Sequence, residues 1–143
     1  MGSNFSMAYT IPAVNTSSRP VNASSKTSRI MTFHSSARWK AHFEASKASS
    51  KLLVIDFTAS WCGPCKFIEP AVIEMANKYT DVDFIKIDVD ELMDVALEYG
   101  VQAMPTFILI KEGKEVDKVT GARKDELEKK ILRHRTSATT YSY

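Results

Sequence analysis

Cysteine is scarce in this chain of 143 residues: only two occur, three positions apart, at Cys62 and Cys65. Two cysteines so close together are too few for the disulfide framework of a small secreted domain. No run of about 18 apolar residues is present, so we expect no membrane-spanning helix. The composition, 44% hydrophobic and 25% charged, is otherwise typical of a soluble globular protein.

Acidic residues are absent from residues 1–43, which contain five basic residues; the first acid is Glu44. The other 100 residues contain 14 basic and 17 acidic residues, so the formal net charge of +2 conceals a mildly acidic main part. A nucleic-acid-binding domain usually carries a clustered basic face. The main part has none in its sequence, so we expect no nucleic-acid partner.

Residues 1–29 form a separate region, rich in serine, threonine and asparagine and interrupted by Pro12 and Pro20. A segment without lasting helical or strand periodicity buries too little apolar surface to offset the entropy lost on ordering. We therefore predict a flexible N-terminal extension over 1–29, a globular domain over 30–135 and a loose C-terminal tail over 136–143.

Strand and helix patterns alternate along the globular part, and a hairpin over 105–121, joined at "KEGK", precedes the last helix. The other predicted strands are 29–34, 51–59 and 82–89, and the predicted helices are 35–48, 62–79, 90–100 and 123–134. Asp90 is the predicted N-cap of the third helix and Gly100 its C-cap. This order predicts an α/β fold in three layers, with helices on both faces of a mixed sheet.

The stretch "WCGPC" directly follows the predicted strand 51–59. Cysteines at i and i+3 in the first turn of a helix share one face, at a separation that suits a disulfide. Unpaired N–H groups and the helix dipole favour the thiolate of Cys62, although Pro64 removes one N–H. We predict that an exposed Cys62 attacks a disulfide in another protein, and that the deeper, less exposed Cys65 resolves the mixed disulfide.

A metal site and a structural disulfide are the alternatives to redox chemistry for the cysteine pair. A metal site needs about four ligands, and the three histidines that are available lack ligand spacing: His34, His42 and His134. A purely structural disulfide across so small a loop would add little stability. Redox chemistry is therefore the favoured interpretation.

Three further residues are candidates for the same site. Asp56 interrupts the apolar strand and is either an outward-facing edge carboxylate or a buried one. A buried carboxyl has a raised pKa and can pass a proton to or from Cys65. Lys86 is either the charge partner of Asp56 or a solvated lysine. Trp61, beside the thiolate, is better placed as a contact surface than as core.

The proline of "AMPT", Pro105, is a second candidate site or simply marks the entry of a strand.

Four stretches, "DFTASWCGPCKFIEP", "VDFIKIDVDE", "YGVQAMPTFILIKEGKEV" and "VTGARKDELEKKI", resemble the thioredoxin family, specifically its plant h type with an N-terminal extension. The resemblance covers residues 30–135 and implies a central five-stranded sheet with four helices.

The resemblance also implies roles for single residues. Cys62 would be the attacking thiolate and Cys65 the resolving one, with Asp56 as a buried proton shuttle and Lys86 as its neighbour. Pro105 would be cis, would face the disulfide and would present the backbone of the preceding residue to a target chain. The implied docking surface consists of Trp61, Gly63, Pro64, Met104, Pro105, Gly121 and Ala122.

By the same resemblance, the chain would be a protein-disulfide reductase with no bound cofactor, acting on disulfide-containing proteins. Its electrons would come from NADPH through a thioredoxin reductase, or from glutathione and glutaredoxin. A non-catalytic target-binding or holdase module, using a face formed by Trp61 and Met104, is the alternative. A disulfide oxidase or isomerase is disfavoured because those proteins tend to carry histidine where Pro64 stands. Nothing demands more than a monomer.

The N-terminal stretch "MGSNFS" fits the pattern M-G-x-x-x-[ST], in which Gly2 is N-myristoylated. One acyl chain gives only marginal membrane binding, and the extension has no cysteine for palmitoylation. Its acid-free, serine-rich composition also suits an organellar transit peptide. We predict a cytoplasmic location with weak membrane association through acylated Gly2, and import into mitochondria as the alternative.

Overall fold

The structure, a computed structural model, describes residues 29–135. The predicted extension and the predicted tail therefore lie outside the described residues, except for residue 29. Nine elements follow one another in the predicted order: β1 Ile30–Phe33, α1 Ser36–Ser46, β2 Leu52–Thr58, α2 Gly63–Lys78, β3 Val82–Asp88, α3 Met93–Glu98, β4 Thr106–Lys111, β5 Lys114–Thr120 and α4 Lys124–His134.

The five strands form one mixed sheet in the order β1-β3-β2-β4-β5. β3 pairs in parallel with both β1 and β2, whereas β4 is antiparallel to β2 and β5 is antiparallel to β4. β2 is the central strand, which explains why its sequence is apolar on both faces. The predicted α/β architecture, with an antiparallel hairpin at one edge, is confirmed.

Each face of the sheet carries its own apolar core. On one face, α2 and α4 pack through Ile68 and Leu127 against sheet residues that include Val54, Phe84 and Phe107. On the other face, α1 and α3 pack through Trp39 and Val95 against the alternate sheet residues, among them Ile55, Ile85 and Ile108. Asp56 and Lys86 follow the spacing of the first set, so their side chains point toward α2.

The predicted hairpin turn is confirmed at Glu112 and Gly113, whose φ angles are +51° and +80°. Positive φ at both central residues is the signature of a two-residue type I′ turn, whose twist matches that of the flanking strands. Ser35 caps α1, because its Oγ accepts the N–H of Arg38 at 3.3 Å. Among residues 29–135, no helix has the length and apolarity needed to cross a bilayer.

The prediction that Asp90 caps the third helix is wrong. α3 begins at Met93, and its N-cap, Leu92, makes no side-chain hydrogen bond to the helix. The N–H of Asp90 donates to Asp88 Oδ1 at 2.8 Å, so this segment forms a turn before the helix starts. At the other end the C-cap is Tyr99, one residue before the predicted Gly100, which has a φ of +67°.

Candidate active site

The two cysteines lie where β2 gives way to α2. Cys62 is the N-cap of α2, and its Sγ accepts the backbone N–H of Cys65 at 3.2 Å. A disulfide joins Cys62 to Cys65, with the two Cα atoms 5.3 Å apart, inside the range usual for disulfides. The prediction that both residues share one face of the first helical turn is confirmed, and the site is in its oxidised form.

The predicted difference in exposure between the two cysteines is wrong for this disulfide form. Cys62 is 4% exposed and Cys65 is 6% exposed, so both are buried. Ala59, Val89 and Met104 pack around the pair, and Met104 O lies 3.6 Å from Cys62 Sγ. These covering residues come from three loops that are distant in sequence, so position on the helix alone does not reveal the burial.

An exposed rim surrounds the buried disulfide. Gly63 and Pro64 are exposed, and Trp61 is 65% exposed. The indole Nε1 of Trp61 donates a hydrogen bond to Asp90 Oδ2 at 2.9 Å. The sequence does not reveal this contact, because Asp90 has the features of a helix cap there.

A second loop faces the disulfide. The Met104–Pro105 peptide bond is cis, as the resemblance implies; Met104 is half-buried and Pro105 is buried. The N–H of Gly121 donates to Pro105 O at 2.8 Å, which brings the turn after β5 beside this loop. Ala122 is half-buried and packs against the core beneath α2 and α4. Segments distant in sequence thus meet at one end of the sheet.

Asp56 belongs to the interior of the sheet. The alternative of an edge carboxylate is wrong, because β2 is flanked by β3 and β4. The residue is half-buried, and its Oδ1 atom is shielded from solvent without a hydrogen-bond partner. Burial raises the pKa of Asp56 to about 7, with the charge of Lys86 acting against the rise and that of Glu69 adding to it.

Lys86 lies beside Asp56 in the sheet register, as implied, but its direct partner is another residue. Its Nζ donates to Glu69 Oε2 at 2.7 Å. The prediction of Lys86 as the charge partner of Asp56 is therefore corrected: the lysine acts on Asp56 without a direct bond. Glu69 was missed from the sequence, although its i+4 spacing from Cys65 places both on one face of α2.

A cavity of about 330 Å³ connects these groups, and both Asp56 and Cys65 line it. Its other charged or titratable lining residues come from α2, β3 and two loops: Lys66, Glu69, Lys86, Asp88, Glu91 and His34. A cavity of this size, lined by charged side chains, has room for water molecules. The arrangement allows proton exchange between the Asp56 carboxyl and the Cys65 sulfur.

The described residues contain no group of three or more histidine, cysteine or acidic side chains placed to hold a metal ion.

Comparison with known proteins identifies the family: the model of the family named Thioredoxin matches residues 32–133. The chain belongs to the thioredoxin family.

Relatives of known sequence and structure agree. Thioredoxin H2 of Arabidopsis thaliana is 61% identical over 111 residues, which cover 78% of this chain and 84% of the relative. Thioredoxin H2-2 of Oryza sativa subsp. japonica is 52% identical over 132 residues, or 92% and 93% of the two chains. The crystal structure of thioredoxin NaTrxh from Nicotiana alata shares 67% identity, with a TM-score of 0.75 over 76% of this chain and 94% of that one.

These relatives place the chain with the thioredoxins of the plant h type. Together with the disulfide between Cys62 and Cys65, membership makes it a thiol–disulfide oxidoreductase, and more narrowly a protein-disulfide reductase. The non-catalytic alternative is not favoured. Thioredoxins need no bound cofactor, and their partners are disulfide-containing targets and a thioredoxin reductase.

Proposed function

We propose that Cys62 attacks the target disulfide and that Cys65 resolves the resulting mixed disulfide. The observation that carries this assignment is the N–H of Cys65, which lies 3.2 Å from Cys62 Sγ at the N-cap of α2. Backbone N–H groups and the helix dipole at this position stabilise negative charge on that sulfur once the disulfide is reduced. Cys65 lies inside the helix, with its N–H engaged, and lines the cavity that Asp56 also lines.

The proposed reaction consists of two thiol–disulfide exchanges. The Cys62 thiolate attacks one target sulfur, a mixed disulfide forms, and the other target sulfur leaves as a thiolate. Cys65 gives its proton to the Asp56 carboxylate and attacks Cys62 Sγ. The Cys62–Cys65 disulfide forms again, the second target thiolate leaves, and two electrons have passed to the target.

Asp56 is the proposed proton carrier in this sequence. A group is most effective in proton transfer when its pKa lies near the working pH, and Asp56, desolvated in the sheet interior, has a pKa of about 7. As a carboxylate it accepts the proton of Cys65 during target reduction. As a carboxylic acid it returns a proton to Cys65 when the disulfide is reduced again. Lys86 is the proposed neighbour that moderates its charge.

The proposed docking surface is the rim around the disulfide. Trp61, Gly63 and Pro64 supply its exposed side, and the loop with Met104 and Pro105 supplies the other. Met104 presents backbone groups beside Cys62, where an extended target chain can pair with them. Gly121 and Ala122 complete this surface in the proposal, next to Pro105.

Insulin reduction, followed by turbidity, tests the division of labour between the cysteines. Cys62→Ser is expected to abolish turnover, because no nucleophile remains at the N-cap. Cys65→Ser is expected to stop after the first exchange and to accumulate a mixed disulfide with the target, visible on a non-reducing gel. Trapping of the target by Cys62→Ser instead would reverse the two roles.

The electron donor and the location are also proposals. We expect NADPH and a thioredoxin reductase as the electron source, with glutathione and glutaredoxin as the second route. The chain is proposed to be a cytoplasmic monomer, weakly held at membranes by myristoylated Gly2, with mitochondrial import as the alternative. Gly2 lies outside the described residues; the motif "MGSNFS" supports its acylation. Mass spectrometry of the native N-terminus distinguishes an acylated Gly2 from a truncated start and from an unmodified chain, and either of the last two overturns the acylation.

A further inference from the structure

Asp56 and Lys86 are direct register partners on the neighbouring parallel strands β2 and β3. Paired strands run about 4.8 Å apart, and register partners point to the same face of the sheet. The Lys86 ammonium is therefore placed to act as a counter-ion for a carboxylate at position 56, and it does lower the pKa of Asp56. Nevertheless Lys86 Nζ bonds Glu69 Oε2 at 2.7 Å, while Asp56 Oδ1 stays buried without a hydrogen-bond partner.

We propose that Glu69 is a positioning residue for proton transfer: by holding the Lys86 ammonium, it keeps Asp56 without a direct counter-ion and so able to retain a proton at neutral pH. The inference rests on the proposed role of Asp56 as the proton carrier. Glu69 itself touches neither cysteine sulfur nor target; it acts through Lys86.

The two electrostatic effects of Glu69 have the same sign. Its negative charge opposes a second negative charge in the same cavity, which favours the protonated form of Asp56. Its hold on Lys86 prevents that ammonium from bonding Asp56, which also favours the protonated form. Removal of Glu69 therefore lowers the pKa of Asp56 through both effects, whereas removal of Lys86 raises it.

Other charged groups face the same cavity, and none replaces this pair. They come from α2, from the loop before α1, from the end of β3 and from the turn before α3: Lys66, His34, Asp88 and Glu91. His34 and Glu91 are paired with each other, at 3.0 Å between Nδ1 and Oε1. The charges that act on the pKa of Asp56 are those of Lys86 and Glu69.

The position of Glu69 affects the fraction of Asp56 that is protonated at neutral pH. With a pKa of about 7, Asp56 is half protonated at neutral pH and serves both directions of the exchange. A freed ammonium within about 4–6 Å lowers a carboxyl pKa by about 1–3 units. A shift of one unit reduces the protonated fraction at pH 7 to about one tenth.

The test is a titration of the Asp56 carboxyl by NMR in the full chain with ¹³C-labelled aspartate, in the oxidised form, where neither cysteine titrates. Glu69→Gln is expected to lower the pKa of Asp56 by about one unit or more. Glu69→Asp, which keeps the charge, is expected to remain closer to the wild type. Glu74→Gln is the matched control, because it removes an exposed carboxylate from the same helix outside this cavity, and it should leave the pKa unchanged.

A double-mutant cycle isolates the action through Lys86. Lys86→Met is expected to raise the pKa of Asp56, and in that background Glu69→Gln should lower it by less than it does alone. An unchanged Asp56 pKa in Glu69→Gln, or an equal shift with and without Lys86, overturns the inference. Because the Glu69 side chain is 43% exposed, we expect the variants to fold.

Kinetics separate this inference from the proposed function. The pH profile of mixed-disulfide resolution should move to lower pH in Glu69→Gln by the same amount as the pKa of Asp56, and should stay in place in Glu74→Gln. An unchanged profile in Asp56→Asn would refute the proposed role of Asp56. In that case the NMR titration alone would still decide whether Glu69 controls the carboxyl.

Discussion

Trp61 and Asp90 connect two turns that flank the disulfide. The indole Nε1 of Trp61 donates to Asp90 Oδ2 at 2.9 Å, although 65% of the tryptophan surface is exposed. A large aromatic side chain held in one orientation loses less entropy on binding than one that rotates freely. Asp90 therefore orients a residue of the proposed docking surface without touching the cysteines.

Asp90→Ala is expected to weaken target binding and to leave the chemistry intact. Loss of one exposed hydrogen bond to a charged group corresponds to about 0.5–1.4 kcal/mol, so KM for a protein target should rise about 2- to 10-fold with little change in kcat. Glu98→Gln, which removes an exposed charge from α3 without a bond to Trp61, is the control. A fall in kcat at constant KM would contradict this role.

The parts of the fold that the sequence predicts well are those decided by local pattern. β2 is buried on both faces, and its sequence is an apolar run from Leu52 to Phe57 that only Asp56 interrupts. The apolar residues of β3 are buried as well, although charged residues lie between them. The hairpin turn was predictable because Gly113 supplies the positive φ that a two-residue turn requires. The cysteine spacing likewise predicts the shared helix face, which depends only on helix geometry.

The predictions are wrong where a residue contacts another residue that is distant in sequence. Lys86 has two carboxylates within reach, those of Asp56 and Glu69. It forms an ion pair with Glu69 because of where α2 lies over the sheet. Cys62 is covered by Met104, 42 residues later in the chain. Asp90 has the residue type of a helix cap, but its N–H donates to the carboxylate of Asp88. The chain therefore forms a turn there, and α3 begins after it.

Leu127 and Leu132 provide a matched pair on α4. Leu127 is fully buried beneath the helix, whereas Leu132 is 52% exposed. Leu127→Ala should lower the free energy of unfolding by about 2–5 kcal/mol, because it leaves a cavity in the core. Leu132→Ala has the same helix propensity change and should stay within about 0.5 kcal/mol. Urea unfolding measures both, and similar losses would contradict the placement of α4.

A side chain at Gly113 is expected to destabilise the fold. Its φ is +80°, and an added Cβ would lie 2.9 Å from Lys47 Cγ. Gly113→Ala should cost about 1–2 kcal/mol of stability from the backbone alone, with a further loss from the contact. Gly100→Ala, with a φ of +67° and open space around the new Cβ, should show the backbone cost only. Lys47→Ala should remove the difference between the two variants in thermal unfolding.

Asp117 connects β5 to α4 through three side chains of that helix. Arg133 Nη1 lies 3.6 Å from Asp117 Oδ2. Lys130 Nζ lies 3.0 Å from Asp117 Oδ1, and His134 Nε2 lies 2.9 Å from Asp117 Oδ2. Burial alone would raise the pKa of Asp117, but the hydrogen bonds from His134 and Lys130 prevail and lower it to about 2. The ionised carboxylate therefore favours the folded state.

This lowered pKa predicts how stability depends on pH. The unfolded Asp117 titrates near pH 4, so its contribution is complete above that pH and is lost as the pH falls toward 2. After allowance for solvent screening, Asp117→Asn should be less stable than the wild type by about 1–2 kcal/mol at pH 6, and the difference should vanish near pH 2. Glu115→Gln, an exposed change on the same strand, should show no such pH dependence. Urea unfolding at several pH values measures the difference, and a constant difference from pH 6 to pH 2 would show that packing, rather than the charge of Asp117, connects α4 to β5.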